Sequence, residues 1–302
     1  MNEPLTLIPR PERHLIRPTG SVRHIDFLLR APARSRDAAR PPLALALVLD
    51  RSGSMHGTKI ATARDAASAV VAGVDDRDRV AVVVFDDRID VLQPATAATA
   101  EVRASIRAAL QGVAARGSTA LHEGWLTGCR EIAADGEPRA DDPSRLARCF
   151  LLTDGLANVG LVDPEQIASQ AADIRRSAGV STSTFGIGLD YAEQLLGPMA
   201  VAGAGQFHHL RGAVDIRQTF TGELAELLSV VASGVRLELR TEADVSIDVV
   251  SQYRAECAPG SALIDVGELV ANDERHVVVR FGFPSASEAA ERRVACRVSW
   301  LA

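Results

Sequence analysis

"LALVLDRSGSM", residues 45–55, passes without a break from an apolar run to an acid, small polar residues and a methionine. Extended back to Leu43, its first half is continuous enough in Leu, Ala and Val to be a strand buried on both faces. Three further runs have the same character: 79–85 ("RVAVVVF"), 147–153 ("ARCFLLT") and 180–187 ("VSTSTFGI"). Helical patterns fall around them, at 58–73, 99–110, 120–134, 164–178, 192–202 and 213–231. One carries its own punctuation, with Asp163 to cap, Pro164 at the first helical position and Gly179 to stop. Apolar strands alternating with helices predict an α/β fold, a doubly wound and mostly parallel sheet, over residues 43–231.

Beyond residue 233 the period changes. "GVRLELRTEADVSIDVV", "RHVVVRFGF" and "RRVACRVSW" alternate apolar and polar residues, as half-buried antiparallel strands do. "SVRHIDFLLRAP", ahead of the α/β segment, alternates in the same way and is expected to pair with them. The two chain ends, 1–42 and 232–302, are therefore expected to build one antiparallel β-sandwich. The chain stops at "VSWLA", directly after a strand, which suits either the front part of a longer protein or a tightly trimmed one.

Composition narrows the function. A chain of 302 residues with 47% hydrophobic and 24% charged residues is globular, neither disordered nor membrane-embedded. Its first residues lack the basic and apolar regions of a signal peptide, and no apolar run nears the roughly 18 residues that span a bilayer. A cytoplasmic location without a membrane partner is expected. The net charge of −6 argues against a nucleic-acid partner. Cys129, Cys149, Cys257 and Cys296 show no C-x-x-C spacing and are expected to be free thiols packed in the core.

Ligands of open α/β sheets bind beyond the carboxyl ends of the strands. There the first strand presents Asp50, Ser52 and Ser54, and the strand at 147–153 presents Asp154 in "LLTDGLANVG". Between them "RGSTALHEG" offers Ser118 and Thr119 in a loop that opens a helix. Asp50, Ser52 and Ser54 alone would serve equally well as a helix cap and turn. Joined by Thr119 and Asp154, they form an oxygen-only set suited to a hard cation, Mg²⁺ first, with Mn²⁺ or Ca²⁺ as alternatives. The neutral hydroxyls of Ser52, Ser54 and Thr119 would be direct ligands. Asp50 and Asp154 would act through water or orient those hydroxyls. So few protein charges would leave the cation ready to accept a carboxylate from another molecule.

"DRSGSM", "GSTAL" and "LLTDGLANVG", in that order, resemble the metal-ion-dependent adhesion site of von Willebrand factor type A domains. "GTKIATARDAA", "DRVAVVVFDD", "STFGIGLDYAEQLLGPMA" and "GQFHHL" extend the resemblance over about residues 43–230. With its β-rich flanks the chain is most similar to bacterial stand-alone members related to inter-alpha-trypsin inhibitor heavy chains. The resemblance implies a Rossmann-like sheet, a metal held by Asp50, Ser52, Ser54, Thr119 and Asp154, and a bond from that metal to an acidic residue of a partner protein. It also implies a last helix that shifts between closed and open states. The expected function is non-enzymatic protein binding. A second reading is a regulatory or adaptor subunit of an AAA+ ATPase, a protease or a defence assembly.

Other residues bear on chemistry of other kinds. A hydrolase would need a base beside Ser52 or Ser54, and His122, three residues past Thr119, is the candidate. "LHEGW" lacks the second histidine of a zinc protease, and "SGSMHGTK" lacks the closing order of a phosphate loop. His208 and His209 are neighbours in a strand and should face opposite ways. Met55, His56 and Leu156 are expected in a partner-facing surface or an exposed loop, and Trp125 in the packing of its helix.

Overall fold

The computed structural model describes residues 5–33, 41–133, 146–154, 157–188, 191–210, 213–285 and 291–301. The chain forms two compact units, Pro42–Leu228, and Met1–Pro41 together with Ser229–Ala302. Two strands come first, β1 (Thr6–Pro11) and β2 (Ser21–Arg30). Next are β3 (Leu43–Asp50), α1 (Thr58–Gly73), β4 (Arg79–Phe85), β5 (Ile89–Ala97), α2 (Ala100–Gln111) and α3 (Leu121–Ala133). Then come β6 (Leu146–Thr153), α4 (Pro164–Ala178), β7 (Val180–Ile187), α5 (Glu193–Ala202), β8 (Phe207–Leu210) and α6 (Ala213–Leu228). Six strands close the chain: β9 (Val230–Arg240), β10 (Ser246–Val249), β11 (Arg254–Ala258), β12 (Ser261–Val270), β13 (Glu274–Phe283) and β14 (Ala295–Leu301).

The α/β unit holds one sheet in the order β5-β4-β3-β6-β7-β8, parallel except for β5. Every residue of β3 is buried, as its unbroken apolar sequence requires. From β3 the chain steps to β4 on one side and later returns to β6 on the other. The crevice beyond β3 and β6 is thus the topological switch point of the sheet. Asp50 ends β3 and Asp154 follows β6.

Helix α3 sets how closely the next loop approaches that crevice. Gly124 and Gly128 lie four apart on one helical face. A Cβ on Gly124 would meet the Phe85 ring at 2.6 Å, and one on Gly128 would meet Val48 Cγ2 at 2.2 Å. Backbone therefore packs directly on the sheet, and Leu121, Trp125, Cys129 and Ile132 fill the space around it. Trp125 packs its helix as expected, its indole N–H donating to Thr182 Oγ1 at 3.0 Å. The aromatic cluster of Phe150, Phe185 and Phe220 seats α6. Glu223 of α6 accepts from Ser183 Oγ and contacts His208 Nε2, each at 2.8 Å.

Strand β7 and helices α1 and α4 keep their expected limits, with Asp163 Oδ1 capping Gln166 N at 3.0 Å and Gly179 left-handed at φ 67°. Strand β5 was not expected. It is a half-buried edge carrying Pro94, and its period is too irregular to announce a strand. Helix α6 stops at Leu228 rather than 231, because Val230 already pairs with Val270 in a sheet.

The unit of both chain ends is all antiparallel, with sheets β1-β2-β13-β10 and β11-β12-β9-β14. As expected, the N-terminal strand joins the C-terminal ones: β2 pairs with β13 from Ser21–Phe283 to Arg30–Glu274. Phe27, Leu29, Val277, Val279 and Phe281 of one sheet share a core with Val235, Leu237, Leu239 and Ile264 of the other. All four cysteines are free, but only Cys129 and Cys149 are buried. Cys257 is exposed on the edge strand β11 and Cys296 is half-buried, which corrects the expected core placement. Among the described residues no helix is long and apolar enough to cross a membrane.

Gly128→Ala is expected to destabilise the α/β unit by about 1–3 kcal/mol, since an added methyl must push α3 off Val48. Gly222→Ala, in α6 with nothing within 4 Å of the new Cβ, should be neutral or stabilising by up to ~1 kcal/mol. Urea unfolding of the two variants beside wild type checks both.

Candidate metal centre

Asp50 is wholly buried where β3 runs out. Its Oδ1 accepts the backbone N–H of Ser52 at 2.7 Å, and its Oδ2 accepts the hydroxyl of Thr153. The chain then turns through a 3-10 segment, Gly53–Met55. That turn brings Ser52 Oγ to 3.1 Å from Ser54 Oγ, and the Ser54 hydroxyl donates to Asp154 Oδ1 at 2.7 Å. The other oxygen of Asp154 is paired with the Lys59 ammonium, which reaches back from the first turn of α1. Asp50, Ser52, Ser54 and Asp154 thus make one continuous chain of contacts.

Thr119 adjoins this chain through backbone bonds rather than through a side-chain contact. Gly53 N–H donates to Gly117 O at 3.1 Å and Arg116 N–H to Arg51 O at 2.7 Å, laying the two loops side by side. Thr119 itself is 3% exposed, and its N–H donates to Asn158 Oδ1 at 2.9 Å. Its carbonyl accepts from the N–H groups of Asn158 and Val159 at 3.2 and 3.3 Å. Gly117 has φ 68°, and a Cβ there would fall 2.1 Å from Asp87 Oδ1, so glycine is required. Ser118 is exposed on the same loop.

A charge network holds both loops beneath the rim. Asp86 Oδ2 accepts from Arg51 Nε at 3.0 Å and from Arg116 Nε at 2.6 Å, and both arginines also reach Asp90. Asp86 Oδ1 accepts the Arg88 N–H at 2.7 Å. Burial pushes the Asp86 carboxyl upward, but the bonds from Arg116 and Arg88 and the charge of Arg51 outweigh it and hold the group below the ordinary range.

Asp50 behaves oppositely. Burial dominates over the hydrogen bonds from Thr153 and Ser52, the charge of Asp154 adds to it, and the carboxyl is raised from 3.8 to about 6. The rim therefore concentrates two carboxylates against one lysine. Its donors are all oxygen, and among the described residues no group of three or more His, Cys, Asp and Glu side chains is arranged for a metal. A cation here would depend on hydroxyls as well as carboxylates, which suits a hard ion such as Mg²⁺. Each carboxylate already accepts bonds from protein donors, the arrangement of groups that orient ligands around a metal.

The remaining expectations divide. Met55 is fully buried, not part of any surface: its N–H bonds Ser52 O at 3.0 Å, and the tight turn points its apolar side chain inward. His56 is exposed, and Leu156 lies outside the described residues. His122 Nε2 meets Gln170 Oε1 at 2.8 Å. His208 and His209 do face opposite ways, toward Glu223 and toward the Tyr191 hydroxyl. Thr153, Lys59, Arg51, Asp86, Arg116 and Asn158 were not anticipated. Asp86 had a usable signal, since it too follows a buried apolar strand.

Comparison with known proteins agrees with this architecture. The von Willebrand factor type A domain family matches residues 44–220. The protein sll0103 of Synechocystis sp. is 29% identical over 232 residues, covering 75% of this chain and 52% of that protein. Inter-alpha-trypsin inhibitor heavy chain H3 of Bos taurus is 25% identical over 240 residues, covering 77% of this chain and 26% of that one. The chain thus spans about half of the first relative's length and about a quarter of the second's. A solved structure of a von Willebrand factor type A protein from Catenulispora acidiphila aligns with 98% of this chain and 69% of its own, at a TM-score of 0.75 and 20% identity, and shares its fold. The chain belongs to the von Willebrand factor type A domain family, whose members commonly mediate protein–protein interaction.

A carboxyl raised from 3.8 to about 6 on folding opposes folding when it is charged. Its proton leaves the unfolded chain first, so the stability contributed falls as pH rises from about 4 to about 6 and stays low above that. Asn at position 50 keeps the shape and can still bond Ser52 and Thr153. Asp50→Asn is therefore expected to be more stable than wild type at pH 7.5 in chelator, by on the order of 2–3 kcal/mol, and to lose that advantage below about pH 4. Thermal or urea unfolding across pH checks it.

Proposed function

We propose that this member of the family is a divalent-cation-dependent protein-binding module that captures an Asp or Glu side chain of its partner. The continuous contact chain from Asp50 through Ser52 and Ser54 to Asp154, at the switch point of the sheet, carries the reading. Ser52, Ser54 and Thr119 would hold the ion, Mg²⁺ first and Mn²⁺ or Ca²⁺ as alternatives. Asp50 and Asp154 would orient their hydroxyls. When bound, the ion supplies a Lewis-acidic position that a carboxylate from outside can complete.

The chain's own residues do the rest. The N–H of Ser52 and the hydroxyl of Thr153 keep Asp50 turned toward the serines. Asn158 and Gly117 fix the loop that carries Thr119. Catalysis is not part of this reading, because the Ser52 and Ser54 hydroxyls engage each other and Asp154 while His122 engages Gln170.

Mg²⁺ or Mn²⁺ is expected to stabilise wild type by ~2.7 kcal/mol at one hundred times its dissociation constant. Ser54→Ala, an exposed change that removes one hydroxyl, should fold normally and lose most of that gain. Capture of a partner by the immobilised chain should require the cation and be reversed by chelator. If neither cation shifts wild-type unfolding, the metal reading fails.

A further inference from the structure

We propose that Lys59 is a tethered cation that competes with the metal for Asp154 and couples metal binding to capture of the partner's carboxylate. The inference rests on the metal reading of the same site and goes on to assign a residue that the five-residue motif does not contain.

The Lys59 ammonium is ion-paired to Asp154 Oδ2, while the other oxygen of Asp154 takes the Ser54 hydroxyl. The two partners differ in burial: the Asp154 side chain is 0% exposed and that of Lys59 is 37% exposed. A buried carboxylate without a counter-charge is strongly unfavourable, whereas a lysine whose side chain is about one-third exposed can withdraw along its flexible stem at lower cost. Asp154 is thus the fixed partner and Lys59 the movable one.

Charge balance then gives Lys59 two opposing effects. Two carboxylates and one ammonium leave the rim with one net negative charge, and a divalent ion turns that to one net positive. Like-charge repulsion from the ammonium weakens the metal, and the surplus positive charge favours an incoming carboxylate. Without Lys59 the ion would neutralise the two aspartates fully, bind more tightly and have less need of a partner's acid. Since linkage is reciprocal, a carboxylate that binds the loaded site must in turn tighten the metal.

Lys59→Met keeps the stem and removes the charge, and Lys59→Arg keeps the charge. By isothermal titration with Mn²⁺, Lys59→Met should bind on the order of tenfold more tightly than wild type, and Lys59→Arg should stay close to wild type. In chelator Lys59→Met should melt below wild type, because Asp154 has lost its counter-ion; in saturating Mn²⁺ the order should reverse. Excess acetate, as a stand-in carboxylate, should tighten Mn²⁺ on wild type more than on Lys59→Met. Equal or weaker Mn²⁺ binding by Lys59→Met, or a melting deficit that is the same with and without Mn²⁺, overturns the competition. An acetate effect equal in the two proteins overturns the coupling. If wild type binds no Mn²⁺, the metal reading falls, and this inference with it.

Discussion

The burial of Asp50 is the constraint from which the site is built. A strand apolar enough to lie in the middle of the sheet delivers a carboxylate to a place without water, and that carboxylate must be satisfied from the protein. It is met by the N–H of Ser52 and the hydroxyl of Thr153. The first contact folds residues 50–52 back on themselves, and the 3-10 turn that follows places Ser52 beside Ser54. The second binds the ends of β3 and β6, so the two halves of the sheet meet at one acid. Burial raises its carboxyl from 3.8 to about 6, so the charged form is carried there at a local cost.

Around that acid, rigidity comes from backbone packing and from buried charge. Gly124 and Gly128 let α3 lie against Phe85 and Val48, which brings the start of the helix, and Thr119 just before it, down to the level of the sheet. Asp86 between Arg51 and Arg116 then ties the loop after β3 to the loop before α3. The network is half-buried, with Asp86 and Arg51 shielded and Arg116 and Asp90 about half exposed, so it adds little net stability over apolar packing. Its role is better understood as positional: it ties the two loops together, as the proposed coordination site would require.

Much of this was legible in the sequence because it follows from periodicity and punctuation. The four apolar runs declared a parallel sheet, the period-two ends declared a sandwich, and the order of Asp50, Ser52, Ser54, Thr119 and Asp154 drew attention to one rim. What escaped was of two kinds. Strand β5 owes its existence to pairing with β4, a non-local bond that a half-buried edge containing Pro94 does not advertise. Met55, Lys59, Arg51 and Asp86 were misread or passed over because a loop sequence does not say which way each side chain turns. Met55 and Ser54 are neighbours, yet one enters the core and the other meets Asp154. Lys59 lies five residues beyond Ser54 in sequence, but a pairing with Asp154 across 95 positions cannot be read from spacing.

The small number of charges at the rim is itself informative. A site meant only to retain a cation would gain from more carboxylates, since each added anion deepens the attraction in a poorly solvated place. Here the positions nearest the crevice are serines and a threonine, and one of the two acids is already partnered by a lysine. Both features would weaken retention of the proposed cation, and both would leave it short of anionic partners once held. They are explained together if the complete coordination sphere belongs to two molecules, with the hydroxyls fixed by this chain and the last acid supplied from outside.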